Sequence, residues 1–294
     1  MVVRGGLVKT AKLRDEYYVL MEDPEDFAAR LRSSKAKADL FTFVQEIHDR
    51  TPKYQFHCEP DDLAVLHITT YEKWWKSLKD KTRNMVRKAQ KSGVEVRVAE
   101  FNDELVRGIQ EIYNETRIRQ GKRNAHYGKD FETVKREHVT FVERSEFIGA
   151  FYEGRLIGFV KVTHSKNYSM LMNIVAMISH RDKAPTNALI AKTVEACSSR
   201  NIPYLNYGTW GKRPGLNEFK LANKFESFEV PRYFIPLTQK GKFALKFNLH
   251  QGMAYYVPEK WIEVAAAWRA KWNAFKYGNQ LPLRGSSSIG RASR

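Results

Sequence analysis

Three polar stretches hold the residue types from which a ligand site can be built. The first, SHRDKAPTN over 179–187, follows the apolar run MLMNIVAMI. It precedes a pattern in which Leu189, Ile190, Val194 and Cys197 share one helical face. A helix start with unpaired N–H groups and a positive dipole end binds phosphate. Arg181 and Lys183 add cations there, and Pro185 removes one N–H. The second stretch, GTWGKRPG over 208–215, follows the short strand PYLNY and leads into LNEFKLANKF and the strand FEVPRYFIPL. The third, NETRIRQGKRNAHYGKDF over 114–131, has few aliphatic residues and many directional hydrogen-bonding groups: Asn114, Glu115, Arg117, Arg119, Gln120, His126 and Tyr127. A loop of that length is functional or disordered. Its tyrosine, histidine and arginines indicate a binding loop.

The elements around these stretches would position them. Strand, helix, strand over 170–207 predicts a parallel pair with a right-handed crossover. Ligands of open α/β sheets lie beyond the carboxyl ends of the strands, where the first two polar stretches fall. FIGAFYEGRLIGFVKV predicts a β-hairpin feeding that unit, with its turn at Glu153-Gly154. Upstream, EYYVLME reads as a strand over 16–22 and PEDFAARLRSS as a helix begun by Pro24. DLFTFVQEI fits strand or helix, and LAVLHITT reads as a buried strand. Residues 71–92 form an amphipathic helix whose apolar side is Trp74, Trp75, Leu78, Met85 and Ala89. Lys76, Lys79, Arg83, Arg87 and Lys91, spaced 3, 4, 4 and 4 residues apart, form a cationic stripe without interleaved acids. That stripe is either a phosphate-tracking, nucleic-acid-binding surface or a solvated helix face. VEVRV is the next strand, and helices follow over 103–117 and 130–143. Beyond residue 240, Trp261, Val264, Trp268 and Trp272 lie at helix spacing and read as a packing face. The tail over 278–294 is rich in Ser and Arg and is expected to be disordered.

The composition sets limits. In a chain of 294 residues, 43% are hydrophobic, enough for a real core. No apolar run reaches the roughly 20 residues of a membrane span, and no secretory leader is visible at the start. Cytoplasmic residence is therefore expected. Cys58 and Cys197 lie far apart without CxxC spacing, so no disulfide framework or metal site is expected. The net charge of +17 favours polyanionic partners such as RNA, DNA or nucleotide cofactors. An ordinary basic surface is the alternative.

FIGAFYEGRLIGFV, followed by strand, basic turn, helix, strand and an FK-bearing helix, resembles the acyltransferase lobe of the GNAT superfamily. WWKSLKDKTRNMVRKAQKSGVEVRV and LNEFKLANKFE are similar to the signatures of its Fem-type branch. The likeness spans most of 60–237. It implies a GNAT-like (acyl-CoA N-acyltransferase) fold of the α+β/α/β class, a mixed central sheet flanked by helices. The expected division is an N-terminal lobe over 1–143, an acyl-donor lobe over 144–240, a helical segment over 241–277 and the tail. It implies transfer of an acyl or aminoacyl group from acetyl-CoA, another acyl-CoA or an aminoacyl-tRNA to a small-molecule or peptide amine. By the same resemblance, Lys220 stabilises the oxyanion or contacts donor phosphate, with Phe219 beside it, and Tyr207 protonates the leaving group. Glu115 or His126 serves as base. Arg181, Lys183, Ala184, Thr186 and Asn187 hold the donor, and Arg119, Tyr127, Trp210 and Arg232 face the acceptor, with Asn206 also lining the site. Two departures stand out: Ala184 and Thr186 occupy places where GNAT proteins carry glycine, and Lys224 replaces the glycine before Phe-Glu. The missing glycines leave open a non-catalytic RNA-binding protein on a degenerate GNAT fold.

Overall fold

The structure is a computed structural model describing residues 1–14, 16–17, 21–47, 49–119, 121–211, 214–251 and 259–277. The tail over 278–294, Gln120 and residues 18–20 of the strand expected over 16–22 lie outside the described residues. Glu16 and Tyr17 stand in a turn.

Two short strands, β1 (Val2–Arg4) and β2 (Thr10–Lys12), precede helix α1 (Pro24–Ser33). The Asp23 side chain caps α1 by accepting the Asp26 N–H, with Pro24 at the helix start and acids in the first turn. Strands β3 (Leu40–Val44) and β4 (His57–His67) follow. The amphipathic stretch after β4 is two helices, not the single one expected: α2 (Tyr71–Ser77) and α3 (Asp80–Lys91). The Ser77 hydroxyl donates to the Trp74 carbonyl, competing with the helical ladder, and buried Leu78 turns extended. Then come β5 (Glu95–Ala99), α4 (Asp103–Asn114), a small hairpin of β6 (Ile118–Arg119) and β7 (Lys122–Arg123), and α5 (Phe131–His138). The expected hairpin is β8 (Ser145–Tyr152) and β9 (Arg155–His164). Its two turn residues, Glu153 and Gly154, both have positive φ, as a turn matched to strand twist requires. The remaining elements are β10 (Tyr168–Ala176), α6 (Pro185–Ser199), β11 (Tyr204–Thr209), α7 (Pro214–Ala222), β12 (Glu226–Pro236), α8 (Gln239–Lys246) and α9 (Glu259–Tyr277).

The strands form one mixed ten-stranded sheet in the order β1-β2-β3-β12-β4-β11-β10-β9-β8-β5. Its β10–β11 pair is parallel, joined by α6 as expected. The lobe boundary expected at 143 marks sequence order rather than separable sheets: β4 lies between β11 and β12, and β5 pairs with β8. The main apolar core joins α3, α4 and α6 to β8, β9 and β11. Gly158 sits where a Cβ would meet Ala176 and Leu189, so its bare backbone lets α6 settle on β9 and β10. One apolar face departs from expectation. On α9, Trp261, Val264, Trp268 and Trp272 are exposed, with Phe275 continuing the line. Among the described residues, no helix is long and apolar enough to cross a membrane.

Candidate active site

Strands β10 and β11 pair only from Tyr168–Met170 against Tyr204–Asn206 and stop pairing toward their carboxyl ends. Each has a local irregularity there: β10 between Leu171 and Asn173, and β11 after Asn206, where Gly208 takes φ +71°. Asn206 ends the paired segment. Its side chain is fully buried, and neither its amide nitrogen nor its oxygen has a hydrogen-bond partner among the described residues. Unpaired buried amides are destabilising, and such groups in native proteins call for an explanation; a ligand is one.

Helix α7 brings its cation to this place. Lys220 is only 2% exposed, and its Nζ donates to the Thr209 carbonyl (2.7 Å) and stands 5.1 Å from the Tyr207 ring centroid. Phe219 meets the same ring edge-on at 6.5 Å, and Trp210 packs against the same core. The Tyr207, Lys220, Phe219 and Trp210 group expected from sequence is thus assembled. Burial pushes the Tyr207 hydroxyl well above its ordinary range, so it stays protonated. Two asparagines that sequence reasoning passed over brace α7. Asn217 Nδ2 donates to the Gly211 carbonyl (2.6 Å). Asn223 Nδ2 donates to the Phe219 carbonyl, and its own carbonyl accepts the Trp74 indole N–H (3.1 Å). Their spacing of three from Lys220 on one helix face was the available signal. Lys224 takes φ +68° directly after, so the helix end keeps its left-handed residue without glycine.

The turn between β10 and α6 is held from outside. The Glu115 carboxylate accepts N–H groups from Ile178 (2.7 Å) and Ser179 (2.8 Å) and the Ser179 hydroxyl (2.7 Å). Burial alone would raise its pKa, but these donors, led by Ser179, hold it below the usual carboxylate range. The Glu115 carboxylate, expected as a base, thus braces the turn ahead of α6. Arg119 donates to the Ala176 carbonyl, and its other terminal nitrogen is buried without a partner among the described residues. Ala184, at the expected glycine place, takes φ +54°. Helix α6 then starts at Pro185 with no side chain capping it. Thr186 and Asn187 are half-buried in its first turn, and the Asn187 N–H goes to the Ala184 carbonyl. Arg181 is exposed beside the turn. Lys183 pairs with Asp182 (3.3 Å) and lies over the Tyr152 ring.

His126, expected as the alternative base, packs against α4. Its ring stacks on Tyr113 at 4.1 Å, and the Lys129 ammonium donates to Nδ1 (3.0 Å), which assigns the ring proton to Nε2. Burial and then Lys129 push its pKa down. Tyr127 lies under the Arg117 guanidinium, 5.2 Å away. Arg232 belongs elsewhere: it forms a buried network with Glu16 (3.0 Å), Asp61 (2.7 Å), Tyr17 and Thr42, bracing β12 against β3 and β4. The cationic stripe is interrupted, because the α2–α3 break falls within it and Asp80 pairs with Arg83 at 2.6 Å. Arg83 also donates to the Lys76 carbonyl, and Arg87 leans on Asn84 and Trp75. Lys76, Lys79 and Lys91 are exposed.

Comparisons with known proteins agree with this frame. Residues 33–142 match the model of the FemAB family. No curated protein matches the chain in sequence. Among solved structures, L-PGS from Bacillus licheniformis is similar over 84% of this chain and 83% of its own, with 12% identity and a TM-score of 0.52. A conserved protein of unknown function from Bacteroides thetaiotaomicron is similar over 79% and 80%, with 14% identity and a TM-score of 0.53. The likeness to these structures is one of fold, and residues 33–142 carry the FemAB-family pattern.

Proposed function

From a Fem-type pattern set in a GNAT-like fold, we propose that this chain transfers an acyl or aminoacyl group to an amine. The observation that carries the reading is the buried Lys220 ammonium against Tyr207, beside the place where β10 and β11 stop pairing. The donor supplies an activated carbonyl carbon bonded to a sulfur or oxygen leaving group. An amine nitrogen attacks that carbon, the C–S or C–O bond breaks, and the amine gives up a proton to water, from which Tyr207 is reprotonated after each turnover. Lys220 stabilises the oxyanion that forms in between. Tyr207, kept protonated by burial, delivers a proton to the leaving atom. Asn206 offers one donor and one acceptor to an amide or hydroxyl of the donor. Donor phosphate lies at the α6 start, drawn by Arg181, Lys183 and the Thr186 N–H, with Ala184 supplying the left-handed turn. The acceptor approaches past Arg119, Tyr127 and Trp210.

Two donors fit this chemistry. The α6 start suits the diphosphate of an acyl-CoA. The FemAB match, the net charge of +17 and the exposed Lys76, Lys79 and Lys91 suit an aminoacyl-tRNA. One experiment separates them. The purified chain is tested for thermal stabilisation by acetyl-CoA and for a mobility shift with charged tRNA, and each donor is then offered with an amine. Stabilisation by acetyl-CoA without a tRNA shift selects the acyl-CoA donor, and the reverse selects the tRNA. Binding of neither, with no transfer from either, overturns the reading.

A further inference from the structure

Well along the sheet from Tyr207, three side chains with metal-ligand chemistry converge. His57 and Glu59 are two residues apart on β4 and so project from one face of the strand. His250 comes from the turn Leu249–Gln251 that follows α8. His57 Nε2 lies 2.9 Å and His250 Nε2 2.7 Å from the same atom, Glu59 Oε1. The two imidazoles stand 86° to one another with centroids 5.6 Å apart, so they approach that point from different directions. All three ligand atoms lie within 4.8 Å of one another.

We propose that His57, Glu59 and His250 bind one divalent transition-metal ion of the zinc type, pinning the segment after α8 onto β4. Two imidazoles and one carboxylate are a donor set for zinc and its neighbours, whereas calcium and magnesium call for oxygen ligands throughout. Zinc bonds of about 2.0–2.2 Å hold tetrahedral ligand atoms roughly 3.3 Å apart. The two imidazole–carboxylate separations must therefore widen by about half an ångström, and the two imidazole nitrogens, within 4.8 Å of one another, must settle at the same spacing. The side chains that must yield are the more exposed ones: His57 is 37% and Glu59 24% exposed, against 1% for His250. The same openness leaves the fourth position to water. Phe234 packs against both rings, 6.0 Å from His57 and 4.8 Å from His250, and fixes their orientation. The spacing could not be read in sequence, because 191 residues separate Glu59 from His250.

The alternative is a metal-free cluster in which both imidazoles hydrogen-bond the carboxylate, and the test separates the two. Untagged full-length protein, freed of metal by a chelator, is titrated calorimetrically with zinc. One equivalent is expected to bind and to raise the melting temperature. His57→Ala, at the most exposed ligand, is expected to stay folded and to weaken zinc at least tenfold, as is Glu59→Gln. Cobalt in place of zinc should give the visible absorption of a low-coordinate nitrogen–oxygen site, lost in His57→Ala. Failure of the wild-type chain to take up one equivalent, or uptake unchanged in both variants, overturns the proposal.

Discussion

The Lys220 ammonium lies 5.1 Å from the centroid of the Tyr207 ring and donates to the carbonyl of Thr209, on the same strand as Tyr207. A buried cation over the ring of a tyrosine that burial keeps protonated is an arrangement for stabilising negative charge. Lys220→Met keeps the stem and removes the charge. It is expected to lower the transfer rate by about 10²–10³ with the fold intact. Tyr207→Phe is expected to lower it by about 10²–10⁴. Because the Tyr207 hydroxyl titrates above its ordinary value of about 10, the wild-type rate should show no alkaline loss from this group up to about pH 9. Rates for both variants beside circular dichroism spectra check this; undiminished turnover in both would remove these residues from the chemistry.

Glu115 holds the turn ahead of α6 through three donors. Glu115→Gln places an amide NH₂ where only acceptors fit, and it is expected to cost about 1–3 kcal/mol. The pH dependence has a definite sign. The folded pKa of Glu115 is depressed, so its contribution is complete above the unfolded value of about 4.3 and is lost as pH falls through the lower folded value. Urea unfolding from pH 6 to pH 3 should show a shallower acid loss in Glu115→Gln below about pH 4.3. If Glu115 were instead the base, the variant would lose rate and keep its stability.

His138 tests a different acid window. It is 1% exposed, bonded to the Tyr113 hydroxyl at 3.0 Å, and held neutral: burial first and then Lys161 push its pKa down to about 3. The unfolded chain takes up this proton near pH 6.5, so the stability from a neutral His138 is full above that pH and falls away toward pH 3. His138→Gln keeps an acceptor for Tyr113 and cannot charge. Between about pH 6.5 and pH 4 it is expected to lose up to a few kcal/mol less than the wild type. Parallel acid curves for the two proteins would contradict this.

What the sequence disclosed follows the range of the interactions involved. The β8–β9 hairpin, the β10–α6–β11 crossover and the group around Lys220 were legible because turn residues, periodicity and motif lie within a few dozen positions. The insertion of β4 between β11 and β12 was not, because its ladder joins residues more than 130 apart, such as Leu63 with Thr209 and Phe228. Arg232 read as a site residue because its partners Glu16 and Asp61 are distant in sequence. Glu115 read as a base from its residue type, and the donors it accepts, from Ile178 and Ser179, lie more than 60 positions away. At the break, Leu78 is extended and the Ser77 hydroxyl bonds the Trp74 carbonyl, a local competition that periodicity does not weigh.

Lys224 occupies the left-handed position that ends α7, with φ +68°. The backbone pattern around it is that of a closed helix end: the Lys224 N–H goes to the Leu221 carbonyl and the Phe225 N–H to the Lys220 carbonyl, both at 3.0 Å. A side chain in this conformation is strained by roughly 1–2 kcal/mol, and glycine is not. Glycine also gains freedom in the unfolded chain, which offsets part of that relief. Lys224→Gly is therefore expected to stabilise the protein by about 0.5–1 kcal/mol. Because Lys224 is a half-buried residue at the end of the helix that carries Lys220, the substitution should leave transfer activity in place. Chemical denaturation of the two proteins at one pH decides the matter: a midpoint lowered in Lys224→Gly would mean that the lysine side chain makes contacts worth more than the backbone strain it imposes.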